Sequence, residues 1–202
     1  MVKDQLTQIY TQNELSCMAT YSIKAVYHKL MGEQSAVTWD KIVWNRLSIP
    51  KHRFILWLAM QSKLQTTAKL AQYGISQSDM CLICADAKED HKHLFFACSY
   101  SKECLKQFKE WTSITSASTD LQQLIRNIQN GRRSKFQKQI LLVGLAALVY
   151  LVWNSRNSSY WQQSIPSVNY VVKHLKAHTK ARIWAVLPKK LSTKDYQWFN
   201  EL

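Results

Sequence analysis

Glycine and proline are scarce, with only 4 Gly and 3 Pro among 202 residues. That scarcity excludes a turn-rich β-sandwich or barrel and the glycine-rich loops that cradle phosphates. Acidic side chains are few as well: 13 Asp and Glu stand against 27 Lys and Arg, a formal net charge of +14. No apolar signal segment follows Met1-Val2-Lys3-Asp4-Gln5, so no secretory route is expected. Five Cys without such a signal fit a reducing intracellular compartment, nucleus or cytoplasm, where clustered thiols hold metal more often than they form disulfides.

With 47% apolar and 20% charged residues, a globular core is expected rather than disorder. The apolar positions recur at helical spacing. Ser22 can cap a helix through Ile23, Val26, Tyr27 and Leu30, with Gly32 near its end. Trp39, Ile42, Val43 and Trp44 predict a short turn of helix, and Pro50 suits the first position of the next. Phe54 to Met60 is apolar on every helical face and so is expected to be buried. Thr66-Thr67 caps a helix with Leu70 and Tyr73 inward and Gly74 as its stop. Helical spacing returns from His93 to Trp111, broken near Ser99, then over Leu121 to Ile128 and Ser134 to Asn157, and from Pro166 to before Pro188.

The expected fold is therefore all-α: a helical domain with a small Cys3His knuckle and a C-terminal pair of long helices. The Ser/Thr-rich stretch 113–119 suggests boundaries giving an N-terminal extension (1–20), a helical domain that holds the cysteine cluster (21–113) and a basic helical region (114–202). Ile140 to Trp153 is apolar apart from Gly144, but it is shorter than the roughly 20 residues of a spanning helix. A core helix is expected there, with a membrane segment as the alternative.

The informative constellation is Cys81-Leu82-Ile83-Cys84, eight residues, His93, four residues and Cys98. Two Cys separated by two residues can grip one ion from a tight turn, and His93 and Cys98 close a tetrahedron from the start of a helix. Three thiolates and an imidazole leave no position for a catalytic water, which marks a structural zinc site. His91 is the competing ligand; His93 is preferred because it adjoins the helix carrying Cys98. Cys17 and Cys104 stand outside the pattern and read as small apolar fillers. Asp86, Glu89 and Asp90 read as a solvated loop tip.

These residues and their flanks resemble the reverse-transcriptase zinc-binding domain found downstream of the polymerase in plant LINE-type (non-LTR) retrotransposons. Besides the Cys and His ligands, Pro50-Lys51-His52-Arg53-Phe54-Ile55-Leu56-Trp57 is similar to that family's P-K-x-R-F-F-L-W helix. Leu64 to Gly74 resembles its L-x-T-x-x-x-L-x-x-x-G segment, and Tyr21 to Tyr27 its (F/Y)-S-V-K-x-x-Y. Tyr150-Leu151-Val152-Trp153-Asn154-Ser155-Arg156-Asn157 resembles the Y-x-I-W-x-x-R-N tail. The likeness runs over roughly residues 20–160. It implies a detached piece of a retroelement reading frame with a zinc site.

Catalysis is not expected. No Asp-Asp pair is present to hold polymerase metals, and residues 114–202 offer only Asp120, Asp195 and Glu201 to a nuclease site. The same stretch carries +10 of the net charge. Lys173, Lys176 and Lys180 share one helical face, followed by Lys189 and Lys190, while Arg132, Arg133, Lys135 and Lys138 cluster at a helix start. These groups, with His52 and Arg53, are candidate contacts to RNA or DNA. Trp39, Trp44, Trp57, Trp111, Trp153 and Trp184 fall among apolar neighbours and read as core. The expectation is a non-catalytic zinc module that binds nucleic acid, with no small-molecule substrate. A zinc-stabilised protein-interaction scaffold and a membrane-associated helical protein are the alternatives.

Overall fold

A computed structural model of the chain describes Thr11, Asn13 and residues 23–32, 39–188 and 190–202, with the backbone alone at Ala25, Leu30, Met31 and Lys41. The expected cap Ser22, Cys17, Lys189 and most of the 1–20 extension lie outside these residues. The described chain is helical and has no strand, as the apolar spacing predicts. Residues 1–38 and 39–202 form two units. Within the first, α1 spans Ile23–Met31 and ends at Gly32, whose φ of +63° is one that glycine adopts without steric cost.

The second unit is built around a single long helix. In order it contains α2 (Asp40–Val43), α3 (Pro50–Met60), α4 (Thr67–Gln72), a π-type turn at His93–Ala97 and α5 (Ser99–Thr112). There follow α6 (Leu121–Asn130), α7 (Lys135–Gln162), α8 (Val168–Ala185) and α9 (Thr193–Glu201). Local chemistry fixes most of the starts. Pro50 occupies the first turn of α3, and Asp120, Ser134, Ser167 and Ser192 each accept a backbone N–H three residues on. At the start of α9 the cap is reinforced, since Ser192 Oγ also donates to Asp195 Oδ2 at 2.9 Å. No longer apolar period announces α9, and that cap is its clearest sequence signal.

α7 packs chiefly against α3 and α8, with α5 and α6 on its remaining sides. From Ile140 to Val149 every residue is buried. The helix is long and apolar enough to cross a membrane, but 72% of its most apolar 18-residue window is buried inside the fold. The core-helix expectation fits that burial. Leu56, Leu105, Leu124, Leu148 and Leu175 belong to one core cluster, drawn from both sides of the 113–119 stretch. That Ser/Thr-rich segment therefore joins parts of one core. A second cluster, Phe136, Ile140, Val143, Ile183 and Phe199, ties α9 to the first turns of α7.

Two burial expectations are corrected. α3 buries Leu56, Ala59 and Met60, whereas Phe54 is 49% exposed, because only one side of the helix faces α7. Tyr73, expected inward, is 65% exposed just beyond the end of the short α4.

Gly144 lies where α7 meets α5. A Cβ added there would stand 2.9 Å from Cε2 of Phe108, whose ring is buried. Gly144→Val should cost about 1–3 kcal/mol by overpacking, despite valine's better helix propensity. A lowered thermal midpoint with unchanged helical content is the expected result.

Candidate metal centre and its anchor

The knuckle begins with a tight turn at Cys81–Cys84. The Ala85 N–H donates to Cys81 O at 2.8 Å, and Ala85 has φ +57°. The loop then returns antiparallel, with an isolated bridge between Met80 and Lys88 and the Cys81 N–H donating to Ala87 O at 2.8 Å. Asp90 starts the following turn: its Oδ1 accepts the His93 N–H at 2.6 Å, and its carbonyl accepts from Leu94. Phe96, fully buried, takes φ +90°, a strained value for an aromatic residue, and its N–H donates to Ser101 Oγ at 3.1 Å. This reversal puts Cys98 at the N-cap of α5, facing the Cys81 turn.

The ligand atoms of Cys81, Cys84, His93 and Cys98 all lie within 4.8 Å of one another. A tetrahedral ion with metal–sulfur distances of about 2.3 Å requires sulfurs about 3.8 Å apart, so the set can close on one ion with small movements. Cys84 Sγ stands 3.3 Å from His93 Nε2, which identifies the ring nitrogen facing the cluster. The Cys81 thiol donates to Cys98 Sγ, and with the Ser101 and Tyr100 N–H groups this holds the Cys98 pKa below the ordinary thiol value against its burial. Cys81 is pushed up by the same bond and by burial, while the Cys84 and Ile83 N–H groups pull it down. N–H donors aimed at both sulfurs favour thiolates, the form that binds metal.

His91 is outside the cluster. It hydrogen-bonds the Leu64 backbone, its pKa is lowered mainly by burial, and its Nε2 is buried with no hydrogen-bond partner. Cys104 is fully buried in the core, and burial raises its thiol pKa to about 12, consistent with an inert filler.

Glu89 overturns the expectation of a wholly solvated loop tip. It is 0% exposed, and its Oε1 accepts from Arg156 Nε at 2.8 Å. The same oxygen accepts from the Thr67 N–H at 2.8 Å and from Thr67 Oγ1 at 2.9 Å. Arg156 Nη2 donates to Thr67 Oγ1 at 3.0 Å, and the guanidinium lies over the rings of Trp153 and Tyr160. A carboxylate from the knuckle loop, the first turn of α4 and an arginine from α7 thus form one buried network. Asp86 and Asp90 are exposed, as expected.

The candidate nucleic-acid residues separate into two groups. Arg132, Lys135, Lys173 and Lys176 are exposed, Lys138 and Lys180 are half-buried, and Lys176 Nζ stands over the Trp111 ring. Arg53 is half-buried with its guanidinium over Trp44. Arg133 donates to the carbonyls of Thr112 at 2.8 Å and Ser113 at 2.7 Å, and burial lowers its pKa. Its Nη2 therefore caps the end of α5. His52 is corrected outright: it is 1% exposed and stacks on Tyr150 at 4.5 Å between ring centroids, with His178 at 5.9 Å. It cannot meet a nucleic acid without unfolding α3 from α7. Two tryptophans expected in the core are corrected too, since Trp44 is 45% and Trp184 49% exposed.

Residues 21–104 match the family model described as zinc-binding in reverse transcriptase. The match takes in all four cluster residues and is to a zinc-binding domain, not a polymerase domain. No curated protein and no solved structure matches the chain.

Two outcomes follow from this geometry. Arg156→Met strands the Glu89 carboxylate in the interior and should cost about 3–5 kcal/mol, read as a lower urea midpoint. The double variant Glu89→Gln/Arg156→Met should lose much less than the two single losses added together. For His52, burial, then His178 and Lys51, lower the pKa from 6.5 to about 4. The unfolded chain therefore takes up this proton first as pH falls. The contribution of His52 to stability is fully present above pH 6.5 and is lost as pH falls towards 4, by about 3 kcal/mol. His52→Phe, which keeps the stack on Tyr150, should flatten the urea-midpoint profile over that range. Parallel profiles for the two proteins would contradict a neutral buried His52.

Proposed function

We propose that the protein is a non-catalytic, zinc-stabilised module, derived from a retrotransposon reverse-transcriptase polyprotein of the LINE type found in plants, that binds RNA or DNA. The observation that carries this reading is the Cys3His cluster inside the segment that matches reverse-transcriptase zinc-binding domains. Zinc is the ion favoured by three thiolates and an imidazole, and Cys81, Cys84, His93 and Cys98 would hold it. With four protein ligands the ion would serve structure rather than activate water. The exposed Arg132, Lys135, Lys173 and Lys176, with the half-buried Lys138 and Lys180, would neutralise phosphates. A reducing intracellular compartment suits the free thiols.

Structural zinc in finger-like peptides contributes on the order of 10–16 kcal/mol, comparable to the whole stability of a domain. Cys84→Ser or Cys98→Ser should therefore lose the metal and raise hydrogen exchange over residues 75–112, while α7 and α8 stay helical. Elemental analysis should find one zinc per chain in the wild type. Titrating labelled RNA and duplex DNA at several salt concentrations tests the partner. About four to six phosphate contacts give a log–log slope near −0.9 times that number on duplex DNA. Absence of salt-sensitive binding would favour the protein-interaction scaffold instead.

A further inference from the structure

Three aromatic side chains form a ladder on the outer side of α2 and α3. Phe54 stacks on Trp57 with centroids 5.8 Å apart, and Trp57 approaches Trp44 at 6.1 Å. Phe54 is 49% and Trp44 45% exposed. Cations flank the ladder, with Arg53 over Trp44 at 5.7 Å and Lys63 over Trp57 at 5.7 Å. Trp44 also forms one wall of a cleft of about 660 Å³, whose lining includes Arg46, Lys135, Lys138, Gln129 and Gln139 and, among the described residues, no carboxylate.

The two lysines stand where their charge is disfavoured. Both occupy the first turns of α7, at the positive end of its dipole, and that first turn has no acidic residue. Asp195, the carboxylate at that end, accepts from Ser134 Oγ at 2.6 Å and Ser192 Oγ at 2.9 Å instead of pairing with either lysine. An anion in the cleft would relieve the repulsion. Exposed rings beside cations that pair with no carboxylate among the described residues are the combination that binds bases and phosphates together. Amides at Gln129 and Gln139 can donate to and accept from base edges, which a lipid acyl chain would not use.

We propose that this ladder and cleft bind single-stranded nucleic acid, bases stacking on Trp44 and its neighbours and phosphates meeting Arg46, Lys135 and Lys138. The proposal rests on the nucleic-acid-binding reading above and gives it a place and a strand preference. A duplex hides its base faces, so the rings discriminate for unpaired strands while the cations serve either form.

The test uses the full zinc-loaded chain with labelled oligo(rU), labelled oligo(dT) and a duplex of equal length. The wild type should prefer the single strands, the comparison of oligo(rU) with oligo(dT) reporting which sugar is favoured. Trp44→Ala should weaken single-strand binding about 5- to 150-fold with little change in salt slope. Trp44→Phe should retain most of it, and Phe54→Ala, at an exposed position, gives a loss that does not depend on the fold around Trp44. Lys135→Ala/Lys138→Ala should instead reduce the single-strand slope by about 1–1.5. Salt-sensitive binding that is unchanged in Trp44→Ala and Phe54→Ala, or equal for duplex and single strand, overturns this proposal and leaves the phosphate-binding function standing. Failure of the wild type to bind any oligonucleotide, with or without binding to anionic lipid vesicles, overturns both.

Discussion

A guanidinium that is 2% exposed and a carboxylate that is 0% exposed meet at 2.8 Å between α7 and the knuckle loop. Ions so deeply buried are costly to desolvate, and here one carboxylate oxygen gathers three donors while Glu89 Oε2 is buried without a hydrogen-bond partner. Glu89 Oε1 serves Arg156 and both donors of Thr67, and Trp153 and Tyr160 cover the guanidinium with their rings. The knuckle loop has little apolar surface with which to dock on the core. The buried ion pair is joined by a hydrogen bond from Ser159 Oγ to Leu82 O and by Ile83 packing on the core, while Leu94, Phe95 and Phe96 seat the turn that carries His93 and Cys98.

α7 sets the other constraint. It carries enough hydrophobic length to pass for a membrane helix, and its neutralisation is geometric: α3, α5, α6 and α8 cover it. Close approach needs an absent side chain at Gly144, where the Phe108 ring enters. The same helix supplies Arg156 near its far end and Lys135 and Lys138 at its start. One element thus carries the core, the anchor of the metal loop and the cations of the cleft.

Much of this was legible from residue types and spacing. Ser134 and Pro50 mark helix starts by themselves, and the Cys and His spacing marks a metal knuckle without any knowledge of the fold. What stayed hidden depends on partners distant in sequence. Glu89 looks like one of three loop carboxylates until Arg156, 67 residues later, is seen beside it. His52 sits in a basic run, Lys51-His52-Arg53, and only the helix phase against Tyr150 turns it inward. Trp44 and Phe54 read as core because their neighbours are apolar, yet Phe54 lies off the buried side of α3 and Trp44 caps the end of the short α2, where it is half exposed. The resemblance noted at Tyr150 to Asn157 includes Arg156, but a motif cannot say which carboxylate its arginine meets.

The 67-residue separation between Glu89 and Arg156 also sets an order of events in time. A ribosome adding about 5–20 residues per second places roughly 3–13 s between the two. All four metal ligands leave the tunnel before Arg156 is made. During that interval the knuckle can coordinate an ion and Glu89 can reach Thr67, but the arginine that completes the network is absent, so its thiolates are less protected from oxidants and competing metals. Early capture of the ion would protect the thiols until α7 arrives, and the nascent chain depends on metal supply before it depends on its own core.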